Sequence, residues 1–172
     1  MYGKHGLSRV GKSEKQKLVN KLDIVFGKMI KERDRQEPCI TCPKIQQPTD
    51  DPRAWHCGHF RPRGSMATRF DPRNAHKQCA YDNIYQEGLS YEHGLAIDRK
   101  YGQGTAAELY KLSKTIKQWE PKELEQLISA AKKGYPVYVQ LYNEIAITDA
   151  PNYVEQTTPT KLSPCKSRNK RR

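Results

Sequence analysis

The sequence has no run of eighteen apolar residues, and its first residues lack the apolar stretch a secretion signal needs. Those absences argue against a membrane-spanning helix and against export, so the expectation is a soluble, cytoplasmic protein. Acidic residues are scarce beside basic ones: 19 Asp and Glu against 31 Lys and Arg, a formal net charge of +12. Such a surplus points to a polyanionic partner, nucleic acid first. Hydrophobic residues fill only 35% of 172 positions, enough for one packed domain with extensions but not for a second full domain. An even cysteine count is missing as well. Five cysteines (Cys39, Cys42, Cys57, Cys79 and Cys165) without an export signal argue against a disulfide framework and toward metal ligation.

What is present divides the chain into unequal stretches. Residues 1–12 are rich in Gly and Lys and read as a flexible terminus. Ser13 with Gln16 forms a capping-box pattern that opens a helix over 13–35. Leu18, Leu22, Val25 and Met29, widened by Val19, Phe26 and Ile30, give it one apolar face. Within a core region of 36–104, residues 36–83 carry Pro, Cys, His and Arg with little helical periodicity, and a short helix over YEHGLAIDRKY is closed by Gly102. PTDDPR (48–53) is a turn. In the region 105–147, Thr105 with Glu108 makes another capping box. Pro121 opens a helix that ends at Lys133 before Gly134, with Leu124, Leu127, Ile128 and Ala131 inward. Segment 137–147 fits strand or helix. Residues 148–172 form a polar tail whose last twelve hold six basic residues and no acid, which reads as a disordered DNA-binding arm. Cys165 within it reads as a free thiol.

Cys39-x-x-Cys42 is half of a zinc knuckle, because two residues between thiolates let the backbone curl around one tetrahedral ion. Cys79 opens the other half, and Asp82 stands where a fourth thiolate would complete it. Aspartate oxygen is an acceptable zinc ligand. Cys57 and His76 are rivals for that fourth place.

The stretch WHCGHFRPRG (55–64) lies between the half-sites, and the order His59, Asn74, Asn83 matches an HNH-type nuclease. In that chemistry a neutral imidazole, His59, takes a proton from water, and an amide, Asn74, orients it. A divalent cation neutralises charge on the scissile phosphate. Asn83 and His56 are the ligands expected for that ion, with Mg2+ or Mn2+ as the cofactor. Arg61, Arg63, Arg69, Arg73, His76 and Lys77 are expected to contact the DNA backbone.

The run CITC…WHCGHFRPRG…RFDPRNAHKQC…N resembles the NinG (Rap) family of phage recombination endonucleases over roughly residues 14–102. The resemblance implies an α+β fold. Its zinc-supported ββα-metal, HNH-like core would be flanked by N-terminal and C-terminal helices. It also implies a junction-resolving endonuclease acting on branched DNA, such as Holliday junctions and D-loops, in the host bacterial cell. Two positions depart from the family pattern. Asp82 replaces the last knuckle cysteine. His56 replaces an aspartate, and imidazole favours Mn over the harder Mg. Two other functions compete: a non-catalytic zinc module that binds DNA, and a sequence-specific HNH endonuclease cutting linear duplex. Symmetric junction cleavage would call for a homodimer.

Overall fold

The structure, a computed structural model, describes residues 13–148. The expected flexible segment 1–12, the basic arm and Cys165 lie outside the described residues.

Helix α1 (Glu14–Arg33) begins where the capping pattern places it. The Ser13 hydroxyl accepts the backbone N–H of Gln16 at 3.2 Å. The Gln16 side chain, however, reaches forward to Asn20, so only half of the box forms. Val19, Leu22, Phe26, Met29 and Ile30 are buried. They pack against α4 (Pro121–Lys133), whose buried side is Leu124, Leu127, Ile128, Ala130 and Ala131. The ambiguous segment is helical: α5 (Tyr135–Thr148) buries Tyr138 and Tyr142, four residues apart and stacked at 6.1 Å. In a strand Gln140 would share the face of Tyr138 and Tyr142, but it is exposed, so the burial follows the helical period. The Tyr138 hydroxyl donates to the Phe70 carbonyl at 2.9 Å, and Phe70 and Trp119 fill the space between the helices.

A two-stranded antiparallel sheet lies against α1. Strand β1 (Trp55–His59) pairs with β2 (Ala75–Cys79), from Trp55↔Cys79 to His59↔Ala75. The fold of the described residues is therefore α+β. Before β1, the cysteine-rich loop is pinned by a bridge between Pro38 and Ile45, and PTDDPR ends in a 3-10 turn at Pro52–Ala54. After β2 the chain does not enter an α-helix at once. A five-residue π-helix (Tyr81–Tyr85) comes first, then α2 (Ser90–Tyr101) and α3 (Thr105–Leu112). The second expected capping box is not formed. Gly104 caps α3, the Thr105 hydroxyl donates to the Gly102 carbonyl, and Glu108 turns to Arg73. Among the described residues, no helix is long and apolar enough to cross a membrane.

One buried charge cluster joins α1 to β2. The Arg33 guanidinium grips Asp34 through two contacts of 2.6 Å and donates to the carbonyls of Pro72 and Ala75. Asp34 also accepts the Lys77 backbone N–H at 3.0 Å. Asp34→Asn would leave the Arg33 charge buried without its partner. It is expected to cost roughly 3–5 kcal/mol, read as a lower midpoint in urea unfolding.

Candidate metal centre

The loop after α1 curls tightly, with the Cys39 N–H donating to the Lys44 carbonyl at 2.7 Å, and Ile40 ties it to β2 through the Lys77 carbonyl. This brings Cys39 and Cys42 to Cys79, the last residue of β2, and to Asp82 in the π-helix. One ligand atom from each of the four lies within 4.8 Å of all the others. Cys42 Sγ is 3.9 Å from Cys79 Sγ, and Cys39 Sγ is 3.6 Å from Asp82 Oδ2. A tetrahedral ion with bonds of about 2.3 Å to sulfur and about 2.0 Å to oxygen needs edges of about 3.8 and about 3.5 Å. The Cys42–Cys79 and Cys39–Asp82 edges match those lengths and the other pairs lie within 4.8 Å, so the cluster is of a size to hold a zinc ion.

Neighbours hold the ligands in place. The Thr41 hydroxyl donates to Asp82 at 2.7 Å, Gln78 Nε2 donates to that hydroxyl at 3.1 Å, and the Cys79 N–H points at Cys39 Sγ. Such outer contacts orient metal ligands. Burial pushes the Cys42 and Cys79 thiols up, and Cys39 and Asp82 beside them add to the rise. A dication removes that conflict by stabilising the thiolates. The rivals for the fourth place lie elsewhere. Cys57 packs against Gly27 of α1, its thiol pushed up to about 12 by burial. His76 is buried against His93.

Next to the cluster, His56 meets Asn83. His56 Nδ1 lies 2.8 Å from Asn83 Nδ2, and His56 Nε2 lies 3.1 Å from the Arg53 carbonyl. The carbonyl can only accept, so Nε2 carries the proton and the Nδ1 lone pair faces Asn83. Turning the Asn83 amide over would aim its oxygen at the same point. Two neutral donors would then converge beside the four-ligand cluster. The glycine of WHCGH has a steric reason: a Cβ on Gly58 would come within 2.2 Å of Gln78 Oε1.

His59 stands apart from this pair. Side chains alternate along a strand, so positions 56 and 59 fall on opposite faces of the sheet. His59 lies beside Phe26 of α1, ring centroids 6.3 Å apart, with Nε2 3.1 Å from the Arg69 carbonyl. Burial, reinforced by Arg63, lowers its pKa to about 4. The imidazole is therefore neutral at pH 7, as a base must be, with its Nε2–H donated to the Arg69 carbonyl and Nδ1 left as the lone pair. Asn74 is fully buried and does not bond to His59. Its amide accepts the Arg61 N–H and donates to the carbonyls of Arg61 and Thr68, closing the long β1–β2 loop.

The expected DNA contacts separate into two groups. His76 and Lys77 are fully buried. Lys77 Nζ donates to the carbonyls of Arg35 and Glu37 beneath Trp55, so neither residue is placed to meet a phosphate. Arg69 is paired with Asp23, and Arg73 with Asp71 and Glu108. Arg61 lies over the rings of Phe60 and Tyr110, and Arg63 is exposed.

The family model described as the bacteriophage lambda NinG protein matches residues 8–136, three quarters of the chain. The chain belongs to the NinG family. "Protein ninG" of Escherichia phage 933W is 33% identical over 81 residues, 46% of this chain and 38% of that protein. The proteins of the same name from Salmonella phage P22 and Escherichia phage lambda are each 32% identical over 81 residues, 46% of this chain and 37% of theirs. The aligned stretch thus spans little more than a third of these relatives' own length. No solved structure matches the chain.

In this NinG-family chain, sequence reasoning missed a buried histidine pair. His76 Nδ1 lies 3.1 Å from His93 Nε2, and His76 Nε2 lies 3.2 Å from the Tyr101 hydroxyl. The signal was available in the apolar spacing of α2, where His93 sits with Ala96 and Ile97 on the buried side. Burial lowers both histidines, His93 to about 4, and Arg33 adds to the fall at His76. His59, His76 and His93 all have folded values below the ordinary 6.5. They contribute stability above about pH 6.5 that is lost as pH falls toward 4, because the unfolded chain takes up the protons first. The urea midpoint is expected to drop between pH 6.5 and 4. Replacing His93 by Gln should flatten that slope.

Proposed function

We propose that this chain is a divalent-metal-dependent DNA endonuclease acting on branched recombination intermediates. Zinc would sit in the Cys39, Cys42, Cys79 and Asp82 cluster, and a catalytic ion between His56 and Asn83. The observation that carries the reading is the His56 geometry: Nε2 tied to a backbone carbonyl and Nδ1 aimed at Asn83. That is how a metal-ligating histidine is normally held, and DNA binding alone does not require it. The bound ion would supply charge neutralisation on the scissile phosphate and on the departing oxygen. His56 and Asn83 hold their donors in place. Arg61 and Arg63, on the loop closed by Asn74, would contact the phosphate backbone. For His59 to act as the base, the Nδ1 lone pair that the Arg69 bond leaves unprotonated would have to reach a phosphate held by the pair on the opposite face of the sheet; where it stands, the ring fixes the start of that loop.

The branched substrate rests on the resemblance to phage recombination endonucleases. So do action inside the host bacterial cell and pairing of two copies across a junction. The position of His59 favours a second reading, a zinc-containing DNA-binding module without hydrolysis. A synthetic four-way junction and a linear duplex, each incubated with Mn2+, Mg2+ or no added ion, separate these. Cleavage of the junction is expected, faster in Mn2+ than in Mg2+ because imidazole is the softer ligand. Binding without cleavage under every condition would leave only the module, and preferential cutting of the duplex would indicate a sequence-specific enzyme.

A further inference from the structure

The π-helix that carries Asp82 and Asn83 also turns large rings to solvent. Tyr81 and Tyr85 are 62% and 73% exposed, with centroids 6.1 Å apart, and Ile84 between them is 54% exposed. Tyr91, at the start of α2, is 75% exposed. This surface is built rigidly. Three successive residues, Glu87, Gly88 and Leu89, have positive φ of 51°, 79° and 46°, a conformation costly for the two that are not glycine. Buried groups pin the turn: the Gly88 N–H donates to the Asp82 carbonyl, and Gln78 Nε2 donates to the Gly88 carbonyl, each at 2.9 Å. Exposed apolar patches held this way mark binding surfaces, and π-helices recur at functional sites.

We infer that Tyr81, Tyr85 and Tyr91, with Ile84, form a stacking surface for unpaired nucleobases beside the His56–Asn83 pair. Two observations select that occupant. The whole chain carries +12, which calls for a polyanion. Yet residues 78–98 contain no Lys or Arg at all, only acids among their charges. This segment offers nothing to phosphate, so it takes the apolar part of the same ligand. Arg61 and Arg63, which make no ion pair among the described residues, serve the backbone. Base faces are accessible only where pairing is broken, so the surface discriminates in favour of branch points and single strands. The inference takes from the proposed function only that the ligand is nucleic acid.

The test needs no cleavage. A forked oligonucleotide carrying 2-aminopurine at its unpaired position is titrated, beside a fully paired duplex, without added divalent ion. Stacking on the parent protein should change the probe's fluorescence. Replacing Tyr81, Tyr85 and Tyr91 together by Ala should remove that change and weaken fork binding roughly tenfold or more. Duplex affinity should stay unaltered, and the triple Phe variant should behave as the parent. Equal weakening on fork and duplex, an unchanged signal in the Ala variant, or a parent that binds neither DNA would overturn the inference. So would a smaller sedimenting mass for the Ala variant, because the patch would then join copies of the chain. If stacking persists while metal-supplemented protein never cuts, the nuclease reading fails and this one stands.

Discussion

Purified protein is expected to carry about one zinc per chain, and Cys39→Ser to lose it together with the structure of residues 36–54 and of the π-helix. The reason is the size of the local core. Cys39, Trp55 and Cys79 form a small cluster of their own, with only Cys42 and Ala54 packed against it. So few apolar side chains cannot offset the entropy of ordering a loop of this length. A structural zinc site supplies about 10 kcal/mol or more of apparent binding free energy, which becomes folding free energy. The main core of α1, α4 and α5 is a separate cluster, so most helical circular dichroism should survive. Limited proteolysis should then cut the variant within 36–54 and spare the parent. Asp82→Cys should retain the metal and raise the melting temperature, since a fourth thiolate replaces a carboxylate. Folded parent protein free of metal, or a Cys39→Ser protein as protease-resistant as the parent, would sink the assignment.

A comparable contrast is expected between the two histidines of WHCGH. His56→Ala should lower metal-dependent cleavage by about two orders of magnitude or more, while leaving the melting temperature and metal-free junction affinity near those of the parent. His56→Asp should restore cleavage and move the preference toward Mg2+. His59→Ala should act through stability instead. It removes a ring packed beside Phe26 and the bond to the Arg69 carbonyl, at a cost of about 1–3 kcal/mol. Melting curves, junction affinity and single-turnover cleavage measured on both variants decide between the roles. Abolished cleavage at an unchanged melting temperature for His59→Ala would instead make His59 the base.

Much of the scaffold was legible in the sequence because it depends on local chemistry. The CxxC spacing and the third cysteine were enough to name Cys39, Cys42 and Cys79, because thiolate spacing encodes which groups can reach one ion. The fourth place stayed open between Asp82, Cys57 and His76, and the geometry brings Asp82 to the three thiols. The apolar stripe of α1 and the Pro121 start and Gly134 stop of α4 were readable for the same reason: caps and periodicity act within one turn. The buried pair His76–His93 was less so, since the partners are 17 residues apart and a histidine in a run of basic residues reads as a surface charge.

The sequence alone determined which residue types are available at the site, the net charge that calls for a polyanion, and the helices flanking the core. Tertiary structure decided which of those residues meet. His56 and His59 are three positions apart in one strand, and pleating sends them to opposite faces. Lys77 looks like a DNA contact in the run RNAHKQC, but β2 is covered on both sides, and the lysine satisfies loop carbonyls beneath Trp55. Segment 137–147 has the composition of a strand or a helix, and packing of Tyr138 and Tyr142 beside Phe70 and Trp119 selects the helix. Each of these outcomes depends on partners distant along the chain, which local patterns do not encode.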